Sequence, residues 1–468
     1  MRSDFHLLKA SNAGEPLANV AFLVTNAETG ESHVVVTNSE GLLDTSALPQ
    51  SNGNDGAVEG LDDIAVSRSD GGSFTVDISG LSVDSSVLDS ASGIFFAFDG
   101  SSLPAERLGS LRLGTYILNE LPCAANEGLS LVRNVVFEVT REDAGKTVSV
   151  NDTQALVDWK PVISTRAQSG LKEKVLYKTS CASVQDVWTL SQLQVGTTYL
   201  LRASLVREST GDVLASDEKT IVANEEQASG VFTFDEVDTR QMLGGEKLIV
   251  HEELLEFVDG TWRQLLKHPS DEASKSEQSV TVIEPEVGTT LANEDGSKSI
   301  TPAALVTLVD EMAYEGLQPD VAYTLKGRLV TSDGNLLLDA QGNEVTAQTE
   351  FVAEESSGNA TVTFVFDAST LQDQADAIVA FEALFEGDFE IASHEDLDDD
   401  GQTMTVAPVV VEETPDENAI KSDGEKTQGS TSAVAQTGDA NRAILATAAF
   451  ALIFAAFVGL LLLRKPRE

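Results

Sequence analysis

Along most of the chain, apolar and polar residues alternate in short runs: HVVVTN, TYILNEL, NVVFEVT, VAYTLKGRLVT, TVTFVFD and MTVAPVVV. A period of two puts one side of each run toward a core and the other toward water. The runs are rich in β-branched residues and are separated by Gly, Asn and Asp turns. They predict antiparallel strands at short spacing, and hence an all-β protein of tandem β-sandwich modules, prealbumin-like or immunoglobulin-like. No helical period is sustained before residue 443. Residues 443–463 then form a run without a charge, followed by Arg464, Lys465 and Arg467. A helix of that length covers a hydrocarbon core of about 30 Å. Cations at its end favour the cytoplasmic side, which puts the tail 464–468 inside and the bulk of the chain outside.

The pattern repeats. LQVGTTYLLRASLV (193–206) aligns with LQPDVAYTLKGRLV (317–330), and GVFTFD (230–235) with TVTFVFD (361–367). VHEEL (250–254) aligns with AFEAL (380–384), and EQSVTV (277–282) with GQTMTV (401–406). The offset is 124 residues at both ends and drifts to 130 between them, as loop insertions require. Residues 160–283 and 286–410 are therefore read as two copies of one module. A β-rich module precedes them at 1–155, with a loop-like insertion at 49–60. A polar spacer rich in Glu, Ser and Thr follows at 411–433.

Composition narrows the function. The net charge is -46, from 76 acidic and 30 basic residues. Nucleic acids and anionic headgroups need a basic face, so neither is an expected partner. Two cysteines, Cys123 and Cys181, are too few for a disulfide framework and are expected to be buried thiols. The start RSDFHLLKAS reads as a strand with no basic-then-apolar leader, so the export signal is expected in a longer product. DLDDDG (396–401) opens like a calcium loop, but Ala407 stands where the bidentate Glu belongs. HEELLEF (251–257) lacks the second His of a zinc-binding HExxH. No metal, cofactor or enzymatic constellation is expected.

The end of the chain reads VAQTGD at 434–439, after the spacer and before the apolar run. Spacer, pentapeptide, span and basic tip in that order resemble the cell-wall sorting signal of Gram-positive surface proteins. The resemblance implies cleavage by sortase, a membrane transpeptidase, between Thr437 and Gly438, and transfer of the Thr carbonyl to peptidoglycan. Val434 and Ala435 stand where the LPxTG motif has Leu and Pro, and Gln436 fills the variable place.

The second copy carries LVDEMAYEGLQPDVAYTLKGRLV, FVFDAS, AFEALFE and ASHEDLDDDGQTMTV. These stretches resemble the bacterial surface-protein module with an internal Thr–Gln ester bond, the VaFEP-type repeat. The resemblance implies that a Thr hydroxyl on the first strand attacks a Gln carboxamide on the last, releasing ammonia. A base takes the hydroxyl proton, and acids with burial-shifted pKa values stabilise the tetrahedral oxyanion. It assigns Gln402 as the Gln, His394 as the His, Glu382 as the buried acid, and places the Thr at Glu311. In the first copy it assigns Gln278 and Glu252, His268 more loosely, and places the Thr at Val187. Neither Glu311 nor Val187 can supply the hydroxyl, so neither copy is expected to close the ester. His394 and Glu382 are then a structural pair, and Thr307 is the one alternative hydroxyl on the Glu311 face.

At the N-terminus, FHLLKASNAGEPLANVAFLVTNAETGESHVVVTNSEGLLDTS and LGTYILNELP resemble the prealbumin-like domain of Gram-positive pilins and adhesins, the Cna-B or SpaA type. Many members join a first-strand Lys to a last-strand Asn through an isopeptide bond beside a catalytic acid. That chemistry needs a neutral amine and a protonated carboxyl, both products of burial. Alternation puts Phe5, Leu7 and Lys9 on one face, and Glu120 with Tyr116 and Leu118. The resemblance makes Lys9, Asn151 and Glu120 the expected set.

The expected function is structural: the wall-proximal stalk of a sortase-anchored adhesin, inserted in the plasma membrane before sorting and carrying an unidentified host or surface ligand. Other readings are a display stalk for an upstream secreted enzyme, a plain tail-anchored membrane protein and a pilin subunit.

Overall fold

A computed structural model describes residues 1–48, 66–69, 74–78, 81, 94–97, 108–152 and 154–408. The spacer, the VAQTG stretch, the apolar run, the basic tail and the insertion at 49–60 all lie outside these residues.

The described chain is β throughout, with one short α-helix, Glu272–Glu277, opened by the Asp271 carboxylate, which accepts from Ser274 N at 2.8 Å. In the N-terminal module, Arg2–Ser11 lies at the centre of one sheet. It pairs in parallel with Thr147–Ser149 and Ala155–Asp158, and antiparallel with the short strands Leu42–Asp44 and Leu111–Arg112. A second sheet runs Ser32–Val36, Ala21–Asn26, Gly114–Glu120, Val135–Val139. Phe5, Leu7, Phe22, Val24, Tyr116, Leu118 and Phe137 fill the space between them. Burying these side chains drives the closure, at about 25 cal/mol for each Å² of apolar surface removed from water.

The two repeats fold alike, as two face-packed sheets each. In the second, a three-stranded sheet is formed by Glu286–Asn293, Val306–Glu315 and Ser357–Phe366. The opposing sheet is built around Ala377–Glu386, which pairs with Ala322–Thr331, Phe389–His394 and Thr403–Val406. The first repeat places Val162–Ser169, Ala182–Ser191 and Gln227–Val237 against a sheet built around Lys247–Val258. Corresponding tyrosines cap corresponding loops: Tyr199 OH accepts from Gln194 N at 3.0 Å, and Tyr323 OH from Gln318 N at 3.1 Å. Glu286–Asn293 thus belongs to one sheet and Thr403–Val406 to the other.

Consecutive modules meet through matching carboxylates. Glu386, four residues after Glu382, accepts from Ser180 N at 3.0 Å, Ser180 Oγ at 2.6 Å and Thr179 Oγ1 at 3.0 Å in the preceding repeat. Its counterpart Glu256, four residues after Glu252, pairs with Arg263 at 2.8 Å. Arg263 in turn donates to the carbonyls of Leu129 and Asn126 in the N-terminal module. Arg133 of that module pairs with Asp259 at 3.1 Å. Both cysteines are free thiols and neither is buried as expected: Cys123 is half-buried and Cys181 exposed.

Candidate functional sites: three buried strand-to-strand pairs

In the second repeat, Glu286–Asn293 alternates outward and inward, and Thr289 points in. Its hydroxyl meets Gln402, which immediately precedes Thr403–Val406. Gln402 Nε2 lies 2.8 Å from Thr289 Oγ1 and 2.7 Å from Glu382 Oε2, and the Thr289 hydroxyl donates to that same oxygen at 2.9 Å. His394 comes alongside because Phe389–His394 pairs Glu382 directly with His394. Its Nδ1 accepts from Thr289 N at 3.2 Å and lies 3.5 Å from Thr289 Oγ1. Its Nε2 faces Asp399 Oδ2 at 3.2 Å. That arrangement leaves the Nδ1 lone pair aimed at the threonine.

Asp310 completes the site. It is buried, as are Glu382 and Gln402. Burial, then the neighbouring Asp310, pushes the Glu382 carboxyl up to about 10, and burial also raises Asp310. Glu382 and Asp310 face each other, and the Thr290 backbone also acts on Asp310. One proton shared between the two carboxyl groups satisfies them, whereas two bare carboxylates side by side without water would repel.

The resemblance placed the threonine at Glu311, and the structure corrects this. Asp310 points inward, so its neighbour Glu311 must point outward, and it is exposed. The hydroxyl comes from the preceding strand, at Thr289. Thr307 pairs with Val365, three residues along the strand from Asp310. The first repeat shows the same correction: Val187 is exposed beside the buried Asp186. The threonine facing the interior is Thr165, which lies 124 residues before Thr289. Gln278 donates to Glu252 Oε1 at 2.5 Å, and burial followed by Asp186 pushes Glu252 up to about 10. The Thr165 hydroxyl acts on Glu252 but has no hydrogen-bond partner of normal geometry. His268 pairs with Glu252 as His394 does with Glu382, and burial lowers its pKa.

The third site joins first and last strands of the N-terminal module. Lys9 is completely buried with Glu120 and Asp158. Its Nζ lies 2.9 Å from Glu120 Oε2 and contacts Asp158 Oδ1. Register brings them together: Lys9 stands opposite Leu156 and Ser11 opposite Asp158 in the parallel pair. Burial, then Glu120, pushes Asp158 up to about 8, against the pull of Lys9. Asn126 Nδ2 donates to Glu120 Oε1 at 2.7 Å, and Val132 N to Glu120 Oε2 at 3.0 Å, which fixes that carboxyl. Asn151 is not part of this set. It lies in the turn between Thr147–Ser149 and Ala155–Asp158, its amide directed at Ala155 O at 3.5 Å. The chain makes one more strand after that turn, and that strand delivers Asp158.

Among the described residues no group of three or more His, Cys, Asp or Glu is arranged to hold a metal ion, and Asp399 instead serves His394 and Gly401 N. No described helix is long and apolar enough to cross a membrane.

No curated protein matches the chain in sequence. Among solved structures it is similar to a Mobiluncus mulieris adhesin with intramolecular disulfide, isopeptide and ester cross-links, at 16% identity and a TM-score of 0.23, covering 48% of this chain and 80% of that one. It is similar to BcpA, the major pilin subunit of Bacillus cereus, at 10% identity and a TM-score of 0.31, covering 86% and 92%. It is similar to the major pilin SpaD of Corynebacterium diphtheriae at 10% identity and a TM-score of 0.25, covering 87% and 97%. The family model for the T-Q ester bond containing domain matches residues 161–283 and 285–406, each span holding one complete threonine, glutamine and acid-pair set. Those spans make up more than half of the chain, which therefore belongs to the T-Q ester bond domain family.

Proposed function

We propose that this chain is a self-stapled, load-bearing stalk of a bacterial surface protein, whose chemistry is intramolecular and runs once. The observation that carries this reading is the mutual approach of Thr289 Oγ1, Gln402 Nε2 and Glu382 Oε2, within 2.7–2.9 Å of one another and buried. Thr289 Oγ1 attacks Gln402 Cδ while His394 Nδ1 receives its proton. The tetrahedral intermediate collapses, the C–N bond breaks, and the nitrogen leaves as ammonia with a proton from the Glu382 carboxyl. Oriented groups held together by the fold supply most of the acceleration. Thr165 and Gln278 run the same reaction in the first repeat. In the N-terminal module, Lys9 gives its proton to Glu120, the neutral amine attacks protonated Asp158, and water leaves as the amide forms.

Each bond ties a module's first strand to its last, so tension between the ends bypasses the hydrogen-bond ladder. That suits a protein pulled from outside a cell. The VAQTG stretch, the apolar run and the basic tail support attachment to peptidoglycan by sortase. The exposed bulk then belongs to the surface of a Gram-positive cell, with no turnover of an outside substrate.

Intact mass of recombinant residues 1–410 tests the chemistry: one water, about 18 Da, and two ammonia, about 17 Da each, are lost relative to the sequence. T289A returns one ammonia and K9A returns the water. An unaltered mass equal to the sequence mass sinks the proposal. Anchoring is tested separately in the native host: muralytic digestion releases the chain from the wall fraction, whereas release by detergent alone argues for a plain membrane anchor.

A further inference from the structure

Lys298 and Lys174 occupy one position in the two repeats. Each precedes a two-residue strand, Ser299–Ile300 or Val175–Leu176, that pairs in parallel with the strand after the acceptor glutamine. Each ammonium donates to the carbonyl immediately before that glutamine, Gly401 in the second repeat and Glu277 in the first. The surrounding backbone differs. Gly401 follows a turn of aspartates, while Glu277 ends the helix Glu272–Glu277. The same grip on two unlike backbones is not a by-product of local structure.

The gripped carbonyl is tied to the nucleophile as well. Gly401 O also accepts from Leu291 N at 3.0 Å, and Leu291 lies two residues after Thr289 on the same strand. Both lysines are part-buried, which lowers their pKa, while the buried aspartate of the same repeat acts to raise it. In return, Lys298 pulls Asp310 down, and Lys174 pulls Asp186 down.

We propose that Lys298 and Lys174 are positioning residues of the cross-linking reaction. Each clamps the backbone of the acceptor glutamine so that its carboxamide meets the threonine hydroxyl. Each also pulls the aspartate of the acid pair down against the rise that burial gives it, which favours the shared proton on the glutamate that must protonate the leaving nitrogen. This rests on the ester reading above.

The full chain is made by cell-free synthesis, synthesis is stopped, and ammonia loss is followed over time by mass of the digested peptides, which reports each repeat separately. In K298M the Thr289–Gln402 link forms about tenfold more slowly or worse, while the first repeat keeps its rate as an internal control. K298R recovers most of the rate. The ascending limb of the pH–rate profile moves to higher pH in K298M. The groups that face this site are Asp310, Glu382, His394, Asp399 and Asp400, and of these Asp310, Asp399 and Asp400 lose a compensating cation. K174M has the mirror effect. Linking at the unaltered rate in K298M overturns the proposal, as does slowing that is equal at every pH and not relieved in K298R. No ammonia loss in the unaltered chain overturns the ester reading, and this proposal with it.

Discussion

Single residues decide what each module can make. Lys9 lies between two carboxyls, and burial followed by Glu120 pushes Asp158 up to about 8, so the site holds a proton despite the lysine beside it. The acceptor at Asp158 predicts a distinctive mass signature. D158N still cross-links but expels ammonia instead of water, so its intact mass matches the unaltered cross-linked protein, from a sequence mass about 1 Da lower. D158A leaves Lys9 buried beside Glu120 alone and destabilises the N-terminal module by about 3–5 kcal/mol, the cost of breaking a buried pair. Mass spectrometry and denaturant melts check the two outcomes. The threonines teach the same lesson from the other side. The aspartate of the VDEM segment is correctly inward, and the residue after it therefore cannot be. A two-residue period makes an error of one position an error of face.

At the scale of elements, each proposed ester ties strands from opposite sheets, with Thr289 and Gln402 113 positions apart. By analogy with a disulfide closing a loop of that length, the link contributes up to about 4–5 kcal/mol by restricting the unfolded chain. T289A lowers the stability of the second repeat by that order, measured by chemical denaturation. The variant also exposes the acid pair to pH. Glu382 is pushed up to about 10, so the folded repeat holds a proton that the unfolded chain releases near the ordinary carboxylate range. Between those limits the native state binds more protons than the unfolded one, and stability falls as pH rises. Melts of T289A between pH 5 and pH 9, with both limits set by about these pKa values, should show stability declining across the window. A rise with pH contradicts the protonated acid.

At the scale of the molecule, stapled modules carry load only if the joints between them hold. Glu256 and Glu386 are the same residue of the repeat, and each anchors its module to the one before it. The receiving side differs: hydroxyls and a backbone amide at Thr179–Ser180, an arginine bridge to carbonyls of the N-terminal module. E386A removes the acceptor of three donors and leaves both repeats' cross-links intact. Small-angle scattering of that variant should show a broader distribution of distances between the repeats, with no change in mass loss. An unchanged distribution means the joint is held by packing alone.

The sequence determined the all-β class, the two copies and the inward face of the first strand, because alternation and repetition are local properties that survive without coordinates. Gln402, Gln278, Glu382, Glu252 and His394 were assigned by the resemblance to the ester-bond module, not by alternation. Thr289, Thr165, Asp310 and Asp186 also obey the 124-residue offset, but their strands lie before the stretch where the two copies visibly align. Asp158 follows a turn that reads as the end of its module. Only the tertiary structure decided which hydroxyl and which carboxyl stand opposite the legible groups. Partners in a sandwich are chosen by sheet pairing and register, and these are set by burial of the whole core rather than by any one strand.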